Sequence, residues 1–313
     1  MMAKIEITLL IPNLAPILEQ EINSSIIPPQ LSTVIRKAQF TQHSDNVTRL
    51  LTQLFSSDEV RGRDLPLASL RADNSIVLCA DPCYLHADRD QLLLFSGDLA
   101  ISDDDAEHII NIIQPLLADY DATLVKQSNE QWLLQLKTMP DLEFTALAEV
   151  SGKAVQSALP TGQQYQRQAW IRLWNEIQMS LFELPVNKKR QQQGLLPINS
   201  LWFWGKGDLS LRSNYWQTVM GQHYLLKQLA DKSDTDYSSD IDITAINQQS
   251  GRYLMVLERL DLEGDWQTQL AELAASLQHL WQQLKWRKID RLTIEIPNYG
   301  QFELTPFSCW KLW

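Results

Sequence analysis

Two short segments of the sequence carry residue types from which a ligand or metal site could be built. The first, residues 81–90, follows a short apolar segment (76–80) that we predict to be a strand closed by Asp-Pro. Loops after such strands often contact ligands in α/β proteins. Its polar side chains could bind a divalent cation or a polar ligand: Asp81, His86, Asp88, Arg89 and Asp90. The spacing matches no standard calcium loop, so a polar connection stabilised by an Asp turn and an Asp–Arg pair is the alternative.

The second segment, residues 199–207, reads Asn-Ser-Leu-Trp-Phe-Trp-Gly-Lys-Gly. We predict a buried strand that begins at Asn199 and leads into the glycines. Gly205 and Gly207 would let the backbone approach a ligand closely, and Lys206 between them could face an anion. The pattern lacks the third glycine of a dinucleotide-binding motif and is not a P-loop, so it does not name a ligand.

A third candidate region joins a predicted helix (164–184) to the basic segment that follows its closing proline. Asn175 and Gln178 lie at the edge of the predicted apolar stripe, where they could contact a ligand or fix a neighbouring loop. Asn187 and Arg190 belong to the segment Pro-Val-Asn-Lys-Lys-Arg, whose compact cationic run could hold a phosphate or an acidic partner. A solvated helix end is the alternative explanation of that run.

Conventional catalytic patterns are not apparent. There is no Gly-x-Ser-x-Gly elbow and no His-Glu-x-x-His, and the five histidines are scattered. Three cysteines are too few and too irregular for a disulfide framework or a four-cysteine zinc site, so we expect reduced thiols and a cytoplasmic protein.

Composition excludes some partner classes. The 313 residues carry a formal net charge of −11, which disfavours general binding to the nucleic-acid backbone and to anionic membranes. No segment reaches the roughly 18 apolar residues of a membrane span, and the first residues do not form a signal peptide. The eleven tryptophans fall mostly at helix or strand spacings that point inward, so we predict that they belong mainly to the core.

The elements that position these segments alternate between strand and helix, which favours a mostly parallel α/β sheet flanked by helices. We predict an α/β core from residues 1–80 and 161–313, with residues 81–160 as a smaller, strand-containing inserted lobe. The predicted strands are 5–11, 76–80, 91–95, 122–126, 131–137, 199–204, 253–257, 291–296 and 301–304. The predicted helices are 31–40, 46–55, 102–117, 164–184, 215–229 and 266–284, with a polar loop at 232–240.

Five of these segments, in this order and spacing, resemble a bacterial family: regulatory proteins of the pathogenicity-factor E type, commonly labelled cofactor-independent phosphoglycerate mutase. The segments are 80–82, 88–90, 175–179, 185–187 and 199–207. The resemblance implies a distant relation to archaeal-type mutases of the alkaline phosphatase superfamily. It therefore implies Mn²⁺ or Mg²⁺ as cofactor and Asp and His ligands at strand ends, with phosphoryl transfer relayed through a phosphoserine.

The sequence departs from that family where the metal ligands belong. Asn13 stands where a mutase has a carboxylate after its first strand. Asp261 and Asp265 occupy a segment that is Asp-x-x-Gly-His in mutases, and the late His is missing from residues 296–300. We therefore predict a degenerate, non-catalytic protein that regulates or binds a phosphorylated small molecule or a protein partner. The alternatives are an active metal-dependent mutase or phosphatase, and a protein-interaction module without a small-molecule pocket.

Overall fold

The computed structural model describes residues 4–21, 27–72, 76–243, 246, 250–257 and 260–310. The chain forms two compact units. Unit 1 comprises Met1–Asp58 and Leu211–Trp313, and unit 2 comprises Glu59–Ser210. Unit 2 is therefore inserted into the chain of unit 1. Within the described residues, no helix is long and apolar enough to cross a membrane.

The strands are, in chain order, β1 (Ile5–Leu10), β2 (Gln39–Gln42), β3 (Val77–Asp88), β4 (Gln91–Phe95), β5 (Ala122–Lys126), β6 (Trp132–Leu136), β7 (Leu142–Glu143), β8 (Thr161–Gly162), β9 (Ser200–Trp204), β10 (Thr218–Met220), β11 (Asp236–Ser238), β12 (Gly251–Val256), β13 (Arg291–Ile296) and β14 (Gly300–Leu304). The helices are α1 (Ala15–Glu21), α2 (Pro29–Lys37), α3 (Val47–Phe55), α4 (Ala68–Arg71), α5 (Asp103–Ile113), α6 (Leu147–Val150), α7 (Gln164–Phe182), α8 (Pro185–Gln192), α9 (Tyr224–Lys232) and α10 (Trp266–Lys285). Short 3₁₀ helices span Gln114–Tyr120, Gln156–Ala158 and Ser308–Trp310.

Unit 1 contains a seven-stranded sheet in the order β11-β10-β12-β1-β13-β14-β2. The first five strands are parallel, and β14 runs antiparallel to both of its neighbours. β1 lies near the centre and is mostly apolar, as a strand covered on both faces must be. The apolar stripe of α10, predicted from its leucine spacing, is buried in the same core as β1 and β13.

Unit 2 is built on an antiparallel sheet in the order β4-β3-β6-β5, with β9 also paired to β3. Strand β3 is long enough to pair in turn with β6, β9 and β4. The predicted hairpin of β5 and β6 is confirmed, as is the Ser102 cap of α5, whose side chain accepts the Asp105 N–H at 3.1 Å. The predicted buried stripe of α7 is also confirmed.

The structure thus has a mostly parallel, helix-flanked α/β sheet and a separate antiparallel sheet, as expected for the fold class. The division of the chain differs from the predicted one, because β3 pairs with β9 in one sheet. Residues 59–80 and 161–210 consequently belong to unit 2 and not to the parallel core.

Four local predictions were wrong. Residues 81–90 are mostly strand, because the Asp81 charge is neutralised inside the sheet and β3 continues through Pro82 beside β9. The helix predicted for 215–229 is split into β10, which pairs with β12, and α9, capped by His223. The predicted loop at 232–240 contains β11, and the helix predicted to reach residue 40 ends at Lys37, before β2.

Candidate functional site

Asp81, the first residue of the predicted ligand loop, is a buried carboxylate at the middle of β3. It is 2% exposed, and its Oδ1 lies 2.6 Å from Nη1 of Arg71 at the end of α4. The same oxygen accepts the backbone N–H of Trp132 at 3.1 Å, and Oδ2 accepts Nε1–H of Trp204 at 2.9 Å. These donors compensate the buried charge, so the carboxylate joins α4, β6 and β9 to β3.

The other candidates of that segment lie at the far end of β3. Asp88 pairs with Gln91 across a tight hairpin into β4, and Arg89 takes a left-handed conformation there, with φ of 54°. His86, Asp88, Arg89 and Asp90 are all exposed, and the His86 ring lies 3.0 Å from the Tyr84 hydroxyl. The structure therefore separates these side chains from Asp81 along one strand, and they do not form a shared cluster with it.

The Gly-Lys-Gly segment follows β9 and wraps around a carboxylate that the sequence analysis missed. Asp64 accepts the N–H groups of Gly205 and Lys206, each at 2.9 Å, and that of Leu65 at 2.9 Å. Burial raises the pKa of Asp64, and these hydrogen bonds oppose the rise. The N–H groups that a phosphate would use are thus occupied by a side chain of this chain.

Lys206 was predicted to face an anion, but it points to backbone carbonyls. Its Nζ donates to the Pro140 oxygen at 2.9 Å and to the Leu142 oxygen at 3.0 Å. Gly205 has φ of 89°, and a Cβ there would lie 2.9 Å from Sγ of Cys79. Gly207 also has a positive φ, of 106°. The two glycines therefore serve a tight backbone turn against α4 and β3.

The side-chain amides near Asn175 and in α8 either face solvent or form hydrogen bonds with backbone groups. Asn175 is exposed, and Gln178 donates to the Trp174 carbonyl within its own helix at 3.2 Å. Asn187 is buried, and its amide donates to Leu181 and Ile198 carbonyls and accepts the Ile198 N–H. All three bonds are 2.8–2.9 Å long, which fixes the connection between α7 and β9.

Arg190 and Asn199 are similarly engaged. Arg190 is 1% exposed and donates to the carbonyls of Leu99, Ala100 and Leu196, with Asp105 as its counter-ion at 3.1 Å. Asn199 accepts the Leu85 N–H at 2.7 Å and donates to the Leu85 carbonyl at 2.9 Å, so it imitates a strand residue beside β3. Sequence spacing identified these residues as polar groups in special positions, and the partners they found are backbone groups.

The carboxyl edge of the parallel sheet in unit 1 is where a mutase-like chain would place its metal ligands. Asn13 follows β1 with φ of 62° and donates to the Leu260 carbonyl at 3.2 Å. Asp261 accepts the N–H groups of Glu263 and Gly264, and Asp265 caps α10 by accepting the Thr268 N–H at 3.2 Å. Each carboxylate is exposed and closes its own turn.

The positions of the His, Cys, Asp and Glu side chains show whether they could bind a metal ion together. Across the described ranges, no group of three or more His, Cys, Asp or Glu side chains is arranged so that it could hold a metal ion. The described residues therefore do not fit the two-metal centre that the motif resemblance implies. Cys79 and Cys83 are fully buried, which raises the pKa of both thiols and makes them poor nucleophiles.

A histidine–glutamate pair at this same edge was not singled out from the sequence. His43 Nε2 lies 3.1 Å from Oε2 of Glu295, and Nδ1 accepts the Asp45 N–H at 3.3 Å. Because Nδ1 accepts a hydrogen bond, Nε2 is the nitrogen that donates one to the Glu295 carboxylate. Gln301 donates to the other Glu295 oxygen at 2.6 Å. His43 directly follows β2, Glu295 lies in β13 and Gln301 in β14, so only the sheet topology could have joined them.

Two cavities open in unit 1. One of about 410 Å³ lies between the β1–β12 pair and α10, with an apolar lining from Leu9, Met255 and Leu273 and polar side chains from Glu272 and Ser276. Its position near the carboxyl edge is typical of ligand pockets in α/β sheets.

The other cavity, of about 240 Å³, lies at the amino edge and is polar, lined by Lys4, Glu6, Tyr215 and Arg252 among others. Burial tends to raise the pKa of Glu6, but hydrogen bonds from Lys4 and Arg252 outweigh it, and the pKa is lowered. The carboxylate thus compensates the cations around it.

Comparison with known proteins gives structural neighbours only. No protein-family model matches the sequence, and no curated protein matches it. The cofactor-independent phosphoglycerate mutase from Thermoplasma acidophilum DSM 1728 is similar, with a TM-score of 0.43, 13% identity, and coverage of 97% of this chain and 90% of the mutase. The PH0037 protein from Pyrococcus horikoshii is similar with a TM-score of 0.47, 12% identity, and coverage of 97% and 88%.

Proposed function

We propose that this protein is a degenerate, phosphoglycerate mutase-like protein that acts by binding a partner and does not transfer phosphoryl groups. The proposal starts from the motif resemblance, whose enzymes require Asp and His ligands around two divalent metals. The observation that carries it is that no such ligand group exists among the described side chains.

The individual residues support the same proposal. Asn13 is a neutral amide bonded to a carbonyl, and Asp261 and Asp265 each satisfy backbone N–H groups of their own turn. A metal ion would have to displace these bonds and recruit further ligands. An assembled catalytic metal centre usually shows the opposite, with its ligands converging and their orientation fixed by other side chains.

In unit 2, the residues of the motifs that carry the resemblance form hydrogen bonds that hold the fold together. Asp81, Asn187, Arg190 and Lys206 are each bonded to partners within the unit. A chain that retains these residues preserves a fold, and this is compatible with a regulatory role in which the fold presents a binding surface.

The test measures metal content and turnover together. The purified 313-residue protein is analysed by inductively coupled plasma mass spectrometry and then assayed on 3-phosphoglycerate with Mn²⁺, Mg²⁺, Zn²⁺ and Co²⁺. We expect no stoichiometric metal and no turnover above that of Asp261→Ala. Asp88→Ala, in an exposed hairpin of unit 2, is the matched control. Metal-dependent turnover that Asp261→Ala abolishes and Asp88→Ala retains would overturn the proposal in favour of an active mutase or phosphatase.

A further inference from the structure

Unit 1 carries exposed aromatic side chains and cations at the end of α10 and around the last 3₁₀ helix, here called the aromatic–basic surface. It consists of Lys285, Trp286, Arg287, Phe307 and Trp310. The three rings are 72%, 74% and 62% exposed for Trp286, Phe307 and Trp310, respectively. Large aromatic residues contribute most to stability when they are buried, and grouped exposure of this kind marks interaction surfaces.

The surface is held together by cation–π contacts between two elements. Nζ of Lys285 lies 5.0 Å from the centroid of the Trp310 ring, and Cζ of Arg287 lies 5.7 Å from the centroid of the Phe307 ring. Lys285 is the last residue of α10 and Arg287 lies two residues beyond it, while both rings come from the segment around the last 3₁₀ helix. The Phe307 and Trp310 rings are therefore each held beside a cation, and Trp286 lies between these two cations in the sequence.

Within the described part of the chain, Lys285 and Arg287 have no carboxylate partner. Lys288 is exposed beside them, and Lys37 lies at the end of α2. Burial raises the pKa of Cys309, beside Trp310, to about 11, and the positive charges of Lys285 and Lys37 act to lower it.

Helix termini explain the cations but not the rings. Lys and Arg are favoured at the ends of α2 and α10, where the helix dipole is negative. That effect gives no reason for three aromatic rings to remain exposed beside them. Lys188 and Lys189 form an exposed pair of cations on α8. No aromatic residue is next to them in the sequence, so this pair serves as a comparison for the aromatic–basic surface.

We propose that the aromatic–basic surface docks a short segment of a partner protein that carries acidic residues beside apolar side chains. Carboxylates would pair with Lys285, Arg287 and Lys288, and apolar side chains would cover the rings. The proposal rests on the partner-binding function proposed above and names the chemistry of that partner. The overall charge of −11 opposes an extended anionic surface such as a bilayer, whereas a short segment responds to charges within a Debye length of about 8 Å.

The experiment uses phage-displayed random peptides of about twelve residues, selected on the 313-residue protein. Counter-selection is on the variant Trp286→Ser/Phe307→Ser/Trp310→Ser. We expect the selected peptides to combine Asp or Glu with Leu, Phe or Trp. Binding of the synthetic peptides, measured by fluorescence anisotropy, should weaken about tenfold or more in the triple variant and in Lys285→Glu/Arg287→Glu, and should fall as salt is raised.

Matched controls distinguish binding at this surface from nonspecific hydrophobic or electrostatic binding elsewhere on the protein. Phe182→Ser removes a ring that is 73% exposed in unit 2, and Lys188→Glu/Lys189→Glu reverses two exposed cations on α8. Both should bind the peptides as the wild type does. Equal loss in the controls, selection of neutral or basic peptides, or no enrichment over the counter-selecting variant would each overturn the proposal.

Two further measurements address other occupants. If vesicles of phosphatidylserine and phosphatidylcholine bind the wild type and not the triple variant, the surface is a membrane contact and the proposal fails. If sedimentation shows a dimer that the triple variant abolishes, the occupant is a second copy. Turnover of 3-phosphoglycerate with normal peptide binding would overturn the absence of catalysis alone, and inactive protein without peptide binding would overturn this inference alone.

Discussion

Arg71 and Asp81 form an ion pair that is closed to solvent on both sides. Nη1 and Oδ1 are 2.6 Å apart, and the side chains are 4% and 3% exposed, respectively. The Arg71 guanidinium also lies 5.3 Å from the centroid of the Trp204 ring, whose N–H donates to the same carboxylate. Asp81, a candidate ligand residue in the sequence, thus forms a structural contact between helix α4 and the sheet.

Removing the charge of Asp81 should destabilise unit 2. In Asp81→Asn the shape is kept, but the ion pair with Arg71 is lost in a buried environment, where breaking such a pair costs roughly 3–5 kcal/mol. Urea unfolding followed by tryptophan fluorescence measures the loss. Asp88→Asn, on the same strand but exposed, should change the free energy of unfolding by less than about 0.5 kcal/mol. Equal effects of the two substitutions would contradict this role.

The turn at Gly205 should not accept a side chain. Gly205→Ala would add backbone strain at φ of 89° and a contact of 2.9 Å with Sγ of Cys79, for a loss of roughly 2–4 kcal/mol. Gly194→Ala is the control, because Gly194 has φ of 76° and no atom within 4 Å of its added Cβ. It should show the strain alone, about 1 kcal/mol. Thermal unfolding of the two variants should therefore differ clearly, and similar melting temperatures would argue against crowding at Gly205.

Asn199 and Asn175 should behave differently although both are candidate ligand residues. Asn199→Ala leaves the N–H and carbonyl of Leu85 without their partners, which costs about 1–3 kcal/mol. Asn175→Ala removes an exposed amide and should be nearly neutral. Chemical denaturation of both variants, with hydrogen exchange at Leu85, provides the comparison. Unchanged protection of Leu85 in Asn199→Ala would show that the bond pair is dispensable.

Acid should destabilise unit 1 through His223. Burial lowers the pKa of His223 from 6.5 to about 4 in the folded state. Below pH 6.5 the unfolded chain therefore binds a proton that the folded protein does not, so stability falls as the pH drops. Between pH 7 and pH 5 this amounts to about 2 kcal/mol.

His223→Asn provides the check, because asparagine can still accept the Leu225 N–H at the start of α9 and does not titrate. The free energy of unfolding should then depend less steeply on pH over that interval. His86→Asn, at an exposed position, should retain the wild-type slope. An unchanged slope in His223→Asn would show that another group causes the pH dependence.

Much of the fold follows from patterns that are local in the sequence. The β-branched and apolar run of β1, the leucine spacing of α10 and the Ser102 cap are each sufficient to predict their elements. The strand was predicted to end at residue 80 because Asp-Pro normally terminates a strand. Arg71, which compensates the buried charge of Asp81, lies in a different element. β10 was missed because a three-residue strand gains its stability from β12, not from its own sequence.

The candidate site was harder to predict, because chemistry depends on what surrounds a side chain. The sequence predicted Asn187, Arg190 and Lys206 as ligand-binding candidates, and in the structure these side chains donate to backbone carbonyl groups. Asp64 has no motif around it, and only the fold brings its carboxylate to the N–H groups of Gly205 and Lys206. The ligand roles of these residues stay predictions.

The insertion of unit 2 into the chain of unit 1 has a consequence for biosynthesis. Central strand β1 emerges early from the ribosome, but its neighbours β12 and β13 are separated from it by all of unit 2. At about 5–20 residues per second, β1 would wait roughly 10–60 seconds for these partners. The residues of unit 2 are complete by then, so the inserted unit can fold first. Throughout that interval the apolar residues of β1 would remain unpaired and exposed. Unit 1 would then depend most on chaperones and would be most prone to aggregate.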